Sequence, residues 1–276
     1  MLSVLHGRRH GALLAAGAGC LLLAAGCGPR EPKWQPVETS EAKVGQYGAW
    51  TAISPAGPPL NVLLITLDTT RRDRFSCYGY DKQTTPNLDR LAADGLIFDR
   101  AVTPVPITLP AHASILTGMY PFQHGIRNNG TYVLADRFQT MAELLRGRGY
   151  ATGAVVAGFP LDERFGLAQG FDQFDDEFPI HTVSEAEDTA QRPGSDVTRL
   201  GIRWLDEHLP AGADGRPFFL WLHYYDPHTP YAPPEPFASA FPGDPYTGEI
   251  ASMDAAIGAV LDALRERGAY DRTLIL

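Results

Sequence analysis

From Asn61 onward, short apolar runs alternate with amphipathic stretches, and this alternation restricts the chain more than any other feature. An apolar run with no polar face suits a strand covered on both sides, and an amphipathic stretch suits a helix that covers it. The pattern therefore specifies an α/β fold with a central, largely parallel sheet. The expected strands are Val62–Leu67, Ile97–Val102, Tyr150–Ala157, Phe218–Tyr224 and Thr273–Leu276. The expected helices lie at Asn87–Ala93, Ala111–Thr117, Thr140–Gly147, Asp196–His208 and Thr247–Arg267, several of them ending in the Gly that helix termini favour. In the last of these, Ile250, Met253, Ile257, Val260, Leu261 and Leu264 recur at three- and four-residue intervals, the spacing of a helix face turned to the core. Gly166 to Gly194 carries no period and reads as loop. Leu274-Ile275-Leu276 reads as a buried strand that stops in mid-element, so a domain truncated at its C-terminus is expected.

The N-terminus follows a different logic. Arg8, Arg9 and His10 precede an apolar run from about Gly11 to Gly26 that ends Leu22-Leu23-Ala24-Ala25-Gly26-Cys27. This is a signal-peptide layout over residues 1–27, and small residues leading into a Cys resemble a bacterial lipobox, although Ala24 stands where Leu is most common. An exported, periplasmic or cell-envelope lipoprotein held to the membrane through lipidated Cys27 is the expectation; ordinary cleaved secretion and an uncleaved anchor are the alternatives. Residues 28–59, rich in Pro, Gly, Glu and Lys, suit a flexible tether, which leaves residues 60–276 as the folded domain. Cys20 and Cys27 belong to the leader, so only Cys77 remains in the body and no internal disulfide is expected there.

Charge narrows the partners. The net charge is −9 and the body holds no basic run, which argues against nucleic acid. An anionic substrate would need a local positive centre, and a bound metal ion is the simplest one in an acidic protein.

Three stretches carry chemistry. Asp68 directly follows the Val62–Leu67 run, at the carboxyl end of a strand where ligands of a parallel sheet gather; a plain turn-capping Asp is the bland reading. Thr108 opens Thr108-Leu109-Pro110-Ala111-His112-Ala113-Ser114, near the start of a short helix. There free backbone N–H groups and the positive dipole end favour an anion, yet Thr before a helix is most often only a cap. His223-Tyr224-Tyr225-Asp226-Pro227-His228-Thr229-Pro230 follows the Phe218–Leu222 run. In that Pro-locked loop His228 either presents a proton to a leaving group or satisfies a core hydrogen bond. Arg71, Arg72 and Asp73, near Cys77, read as a surface turn.

Taken in order, Asn61 to Asp68, Leu116-Thr117-Gly118, His124-Gly125, Asp226-Pro227-His228 and Tyr246–Leu276 resemble the N-terminal part of the sulfatase family of the alkaline phosphatase superfamily. The resemblance implies an alkaline-phosphatase-like α/β/α sandwich and a metal-dependent ester hydrolase. It places Asp68 as a metal ligand, Thr108 as nucleophile and further metal contact, His112 where sulfatases usually carry Arg, Asn129 where some phosphodiester-cleaving relatives place a substrate-stabilising Asn, and His228 as a substrate-contacting His with a catalytic role. The cofactor implied is a divalent ion: Ca, Mn, Mg or Zn.

Departures from the family pattern bear on the reaction. Thr108 has no route to the formylglycine of true sulfatases, Thr69 replaces a second metal-binding Asp, and Ala157-Gly158-Phe159 lacks a Lys-Trp-His signature. A formylglycine hydrate sheds sulfate by collapsing to an aldehyde. A sulfated Thr has no such exit, whereas a phosphothreonine can be cleared by a second displacement at phosphorus. Phosphoryl transfer is therefore favoured over sulfuric ester hydrolysis. In this family an Asp-His pair that completes the metal site follows a strand like Arg272–Leu276, so an inactive fragment is one alternative and a non-catalytic, membrane-tethered anion-binding module another.

Overall fold

A computed structural model describes residues 58–178, 190–209 and 215–276. The leader and nearly all of the tether lie outside the described residues. The strands are β1 (Asn61–Leu67), β2 (Ala151–Val155), β3 (Gln173–Asp175), β4 (Phe218–Tyr224) and β5 (Thr273–Ile275). The α-helices are α1 (Pro86–Asp94), α2 (Thr108–Thr117), α3 (Pro121–His124), α4 (Met141–Arg146), α5 (Gly194–His208), α6 (Phe237–Ala240) and α7 (Pro245–Glu266). The sheet runs β3-β2-β4-β1-β5 with every pairing parallel.

Alternation along the central strands builds two cores, one on each face of the sheet. Phe218, Leu220, Leu222 and Tyr224 of β4 pack with Val197, Trp204 and Leu205 of α5 and with Met253, Ile257, Val260, Leu261 and Leu264 of α7. Phe219 and Trp221 of the same strand face the other way, onto Leu109, Ala113 and Leu116 of α2 and Ala142 of α4. The result is a three-layer α/β/α sandwich, and the periodic residues of the last helix are buried as their spacing requires. α4 opens with Thr140 as its cap, whose hydroxyl accepts the Glu143 N–H at 3.1 Å.

Three expectations need correction. Ile97–Val102 is not a strand: the segment is irregular, with Phe98 70% and Val102 87% exposed. Its apolar composition mimics a buried strand, but no strand lies beside it. Side chains answer its carbonyls instead, the Asp99 carbonyl accepting from Arg72 at 2.6 Å. The Gly166–Gly194 stretch contains β3, whose three residues are too few to show a period, and β3 pairs with β2. β5 is not buried: Leu274 is 46% exposed, and among the described residues this edge strand pairs with β1 alone.

Candidate active site

Strand alternation delivers the centre of the site. β1 and β4 lie in register with Thr66 opposite His223, and the Trp221 indole N–H donates to Thr66 Oγ1 at 3.0 Å. His223 therefore falls on the α2 face, two residues beyond Trp221. His112 of α2 meets both rings, its centroid 5.6 Å from Trp221 and 4.9 Å, edge-on, from His223.

Asp68 leaves the ladder just past β1, its N–H donating to the Tyr224 carbonyl at 2.9 Å. Its Oδ1 accepts the Thr69 N–H at 2.8 Å. Thr69 has φ 48°, a left-handed conformation that is costly for a β-branched residue and typical of backbone held in place by a functional site. The Thr69 hydroxyl donates to the Pro227 carbonyl, tying the β1 exit to the loop that carries His228. Asp68 Oδ2 is buried without a hydrogen-bond partner and faces His223 Nε2 across 3.5 Å. Burial pushes the Asp68 carboxyl up, but contact with His223, the fields of His223 and His112 and the Thr108 hydroxyl outweigh it and hold the group below the usual carboxylate range.

Thr108 is not a cap. Ile107 occupies the cap position, and Thr108 is the first residue of α2. Its hydroxyl is free of capping and bears on the Asp68 carboxylate. The helix start offers fewer N–H groups than expected: Pro110 has none, and the Leu109 N–H donates to Asn129 Oδ1 at 2.9 Å. Asn129 thus sits beside the start of α2 and satisfies one of its free N–H groups, with its amide NH₂ left to donate elsewhere.

His112 is 6% exposed. Its Nδ1 donates to the Thr108 carbonyl at 2.8 Å, which leaves a lone pair on Nε2, and that atom is buried and without a partner. Burial, then the neighbouring His223, lowers its pKa to about 4, so the ring is neutral near pH 7.

His228 stands one ring further out. It stacks on Tyr225 with centroids 4.2 Å apart, and its Nδ1 donates to the Thr229 carbonyl at 3.0 Å. Tyr225 lies 5.9 Å from His223 and approaches Gly158 so closely that a Cβ there would fall 2.8 Å from its ring. Beside His228 opens a cavity of about 210 Å³ whose lining includes Arg192, Tyr225, Asp226 and Glu249.

The structure thus gathers Asp68, Thr108, His112 and Asn129 around one helix start and sets His228 beyond Tyr225. His223 is the site residue that sequence reasoning missed. It stood within the quoted stretch, and the two-residue period from Trp221 was the signal that aims it at α2; attention went to the loop beyond. Among the described residues, no group of three or more His, Cys, Asp or Glu is arranged to hold a metal ion.

Comparison with known proteins bears on the family and the fold. The Sulfatase family model matches residues 60–276. The chain is 28% identical to arylsulfatase A of Homo sapiens over 267 residues, 81% of this chain and 52% of that protein. It is 24% identical to the N-acetylgalactosamine-6-sulfatase of Homo sapiens over 268 residues, 80% of this chain and 50% of that one. It therefore spans about half the length of these curated relatives. Among solved structures, Ps i-CgsB in complex with k-i-k-neocarrahexaose superposes with TM-score 0.66 at 24% identity, covering 79% of this chain and 57% of that one. The phosphonate monoester hydrolase of Agrobacterium radiobacter superposes with TM-score 0.62 at 23% identity, covering 78% and 61%. The match of the Sulfatase family model to residues 60–276, the whole of the α/β/α sandwich described above, places this chain in the sulfatase family.

Proposed function

We propose that the protein is a hydrolase of phosphate or sulfate esters in which the Thr108 hydroxyl is the nucleophile, with phosphoryl transfer as the preferred reaction. The observation that carries this reading is that the Thr108 hydroxyl does no capping and bears on the Asp68 carboxylate at the carboxyl end of β1.

Asp68 would hold a divalent cation (Ca, Mn, Mg or Zn): a carboxylate at the carboxyl end of β1, held ionised below its usual range, has lone pairs to spare beside those that accept hydrogen bonds. With the Thr108 hydroxyl it supplies part of a coordination sphere. When bound, such an ion lowers the pKa of the hydroxyl and neutralises charge on the ester oxygens. Asn129, fixed by its bond to the Leu109 N–H, is placed to donate from its amide to an ester oxygen beside Thr108. His228 would face the leaving group, a reading supported by the cavity it lines.

His112 supports phosphorus over sulfur. A neutral imidazole with a bare Nε2 accepts hydrogen bonds only, so it meets a substrate oxygen well when that oxygen bears a proton. A phosphate monoester, with its second pKa near 6, keeps such a proton on only about a tenth of its molecules at pH 7 and on more of them in mildly acid solution; a sulfate ester keeps one on none. The same fold also carries a phosphonate monoester hydrolase. On the N-terminal signal, the protein is proposed to be exported and held to the membrane through Cys27, its substrate an ester of the cell envelope or a small molecule.

The test is metal-dependent turnover of matched aryl esters, a phosphate monoester, a phosphate diester and a sulfate, by the parent protein and by Thr108→Ala. Phosphate turnover that Thr108→Ala abolishes supports the proposal. Preference for the sulfate overturns the phosphoryl reading, and turnover of none points to an anion-binding module.

A further inference from the structure

His223 is fully buried at the penultimate position of β4, yet neither the family resemblance nor the proposed chemistry gives it a task. Its two ring nitrogens have different surroundings. The Ala157 N–H, just past β2, donates into Nδ1 at 3.3 Å. A ring nitrogen that accepts carries no proton, so the neutral imidazole keeps its proton on Nε2. Nε2 faces Asp68 Oδ2 across 3.5 Å, at the outer edge of hydrogen-bond reach, and neither atom has another partner. The other Asp68 oxygen is already held by the Thr69 N–H at 2.8 Å.

We propose that His223 is a positioning residue, which donates from Nε2 to Asp68 Oδ2 and is kept in that tautomer by the Ala157 N–H. The carboxylate is then gripped at both oxygens, one by the backbone of its own strand exit and the other by the neighbouring strand. Its aim toward Thr108 thus depends on the ends of three adjacent strands, β2, β4 and β1. An Nε2 that bears a proton offers no lone pair, so His223 is not a cation ligand although it touches a carboxylate. His112, in edge contact with it, has the opposite tautomer, with the proton on Nδ1 and the lone pair on Nε2. This role rests on the reading of Asp68 as a residue of the reacting centre.

Two substitutions separate the two contacts. The side-chain amide of Gln reaches the place of Nε2 and can donate to Asp68 while giving up the Ala157 contact. Asn reaches the place of Nδ1 and can accept from Ala157 while giving up Asp68. His223→Asn is expected to lower kcat about 10- to 100-fold with KM little changed, and His223→Gln to stay close to the parent. The reverse order would show that His223 merely ties β4 to β2 and would overturn the proposal.

Imidazole ¹⁵N spectroscopy needs no turnover, and on the parent protein its tautomer assignment needs no variant. The Nε2–H tautomer is expected for His223, with an Nε2 proton resonance that moves in Asp68→Asn. An Nδ1–H tautomer, an imidazolium, or a resonance indifferent to Asp68→Asn would overturn the proposal. If the parent protein hydrolyses none of the esters, the proposed function falls while the spectroscopic result still decides the role of His223.

Discussion

Replacing Glu249 by Gln should change the pH dependence of stability in a direction that the structure dictates. Glu249 lies near the start of α7, only 6% exposed, in the wall of the cavity beside His228. Its Oε1 accepts the Ala232 N–H at 2.6 Å, and its Oε2 has no partner. Burial above all, with the Asp226 carboxylate adding to it, pushes its carboxyl from an ordinary 4.5 up to about 7. Between those two values the folded protein holds a proton that the unfolded chain has released. Unfolding therefore releases a proton, and stability falls as pH rises through the window. At about 1.4 kcal/mol per pH unit, the loss is at most about 3 kcal/mol once pH exceeds the folded value. Gln keeps a carbonyl for the Ala232 N–H and cannot ionise, so it removes this slope and nothing else that titrates. Urea denaturation of parent and Glu249→Gln should give stabilities within about 1 kcal/mol of each other near pH 5 and a variant about 2 to 3 kcal/mol more stable near pH 8.5. A difference between the two proteins that does not change with pH would refute the reasoning, because it would mean that the cavity ionises Glu249 at no extra cost.

Two further outcomes follow from geometry. Asn129→Ala removes the acceptor that satisfies the Leu109 N–H at the start of α2, so it should cost about 1 kcal/mol and lower the thermal midpoint by on the order of 3 °C, as calorimetry would show. Gly153→Ala places a Cβ 2.4 Å from the Trp204 ring between β2 and α5, and should destabilise by about 1 to 3 kcal/mol in denaturant titrations because the ring is packed and has little room to retreat.

The layered α/β fold was legible in the chain because its signals are local. Apolar runs of strand length and the helix spacing from Ile250 to Leu264 each lie within a few residues of one another. So was the candidacy of Asp68 and Thr108, each beside the end or start of an element. What tertiary structure decided is everything that depends on a partner distant in sequence. Ile97–Val102 has strand composition and no strand beside it, and no local pattern reports a missing neighbour. Thr108 reads as a cap until Ile107 is seen at the cap position and Asp68, from another strand, meets its hydroxyl. Asn129 lies 20 residues from Leu109, and no local pattern shows that its carbonyl accepts the Leu109 N–H. His223 is the clearest case: the two-residue period of β4 sets its face, but its tautomer comes from Ala157 on one neighbouring strand and its target from Asp68 on the other. Sequence determines the long, strongly patterned elements and which face their side chains take, since those follow from short-range geometry. Which donor meets which acceptor is settled only when the sheet order brings residues from separate strands together.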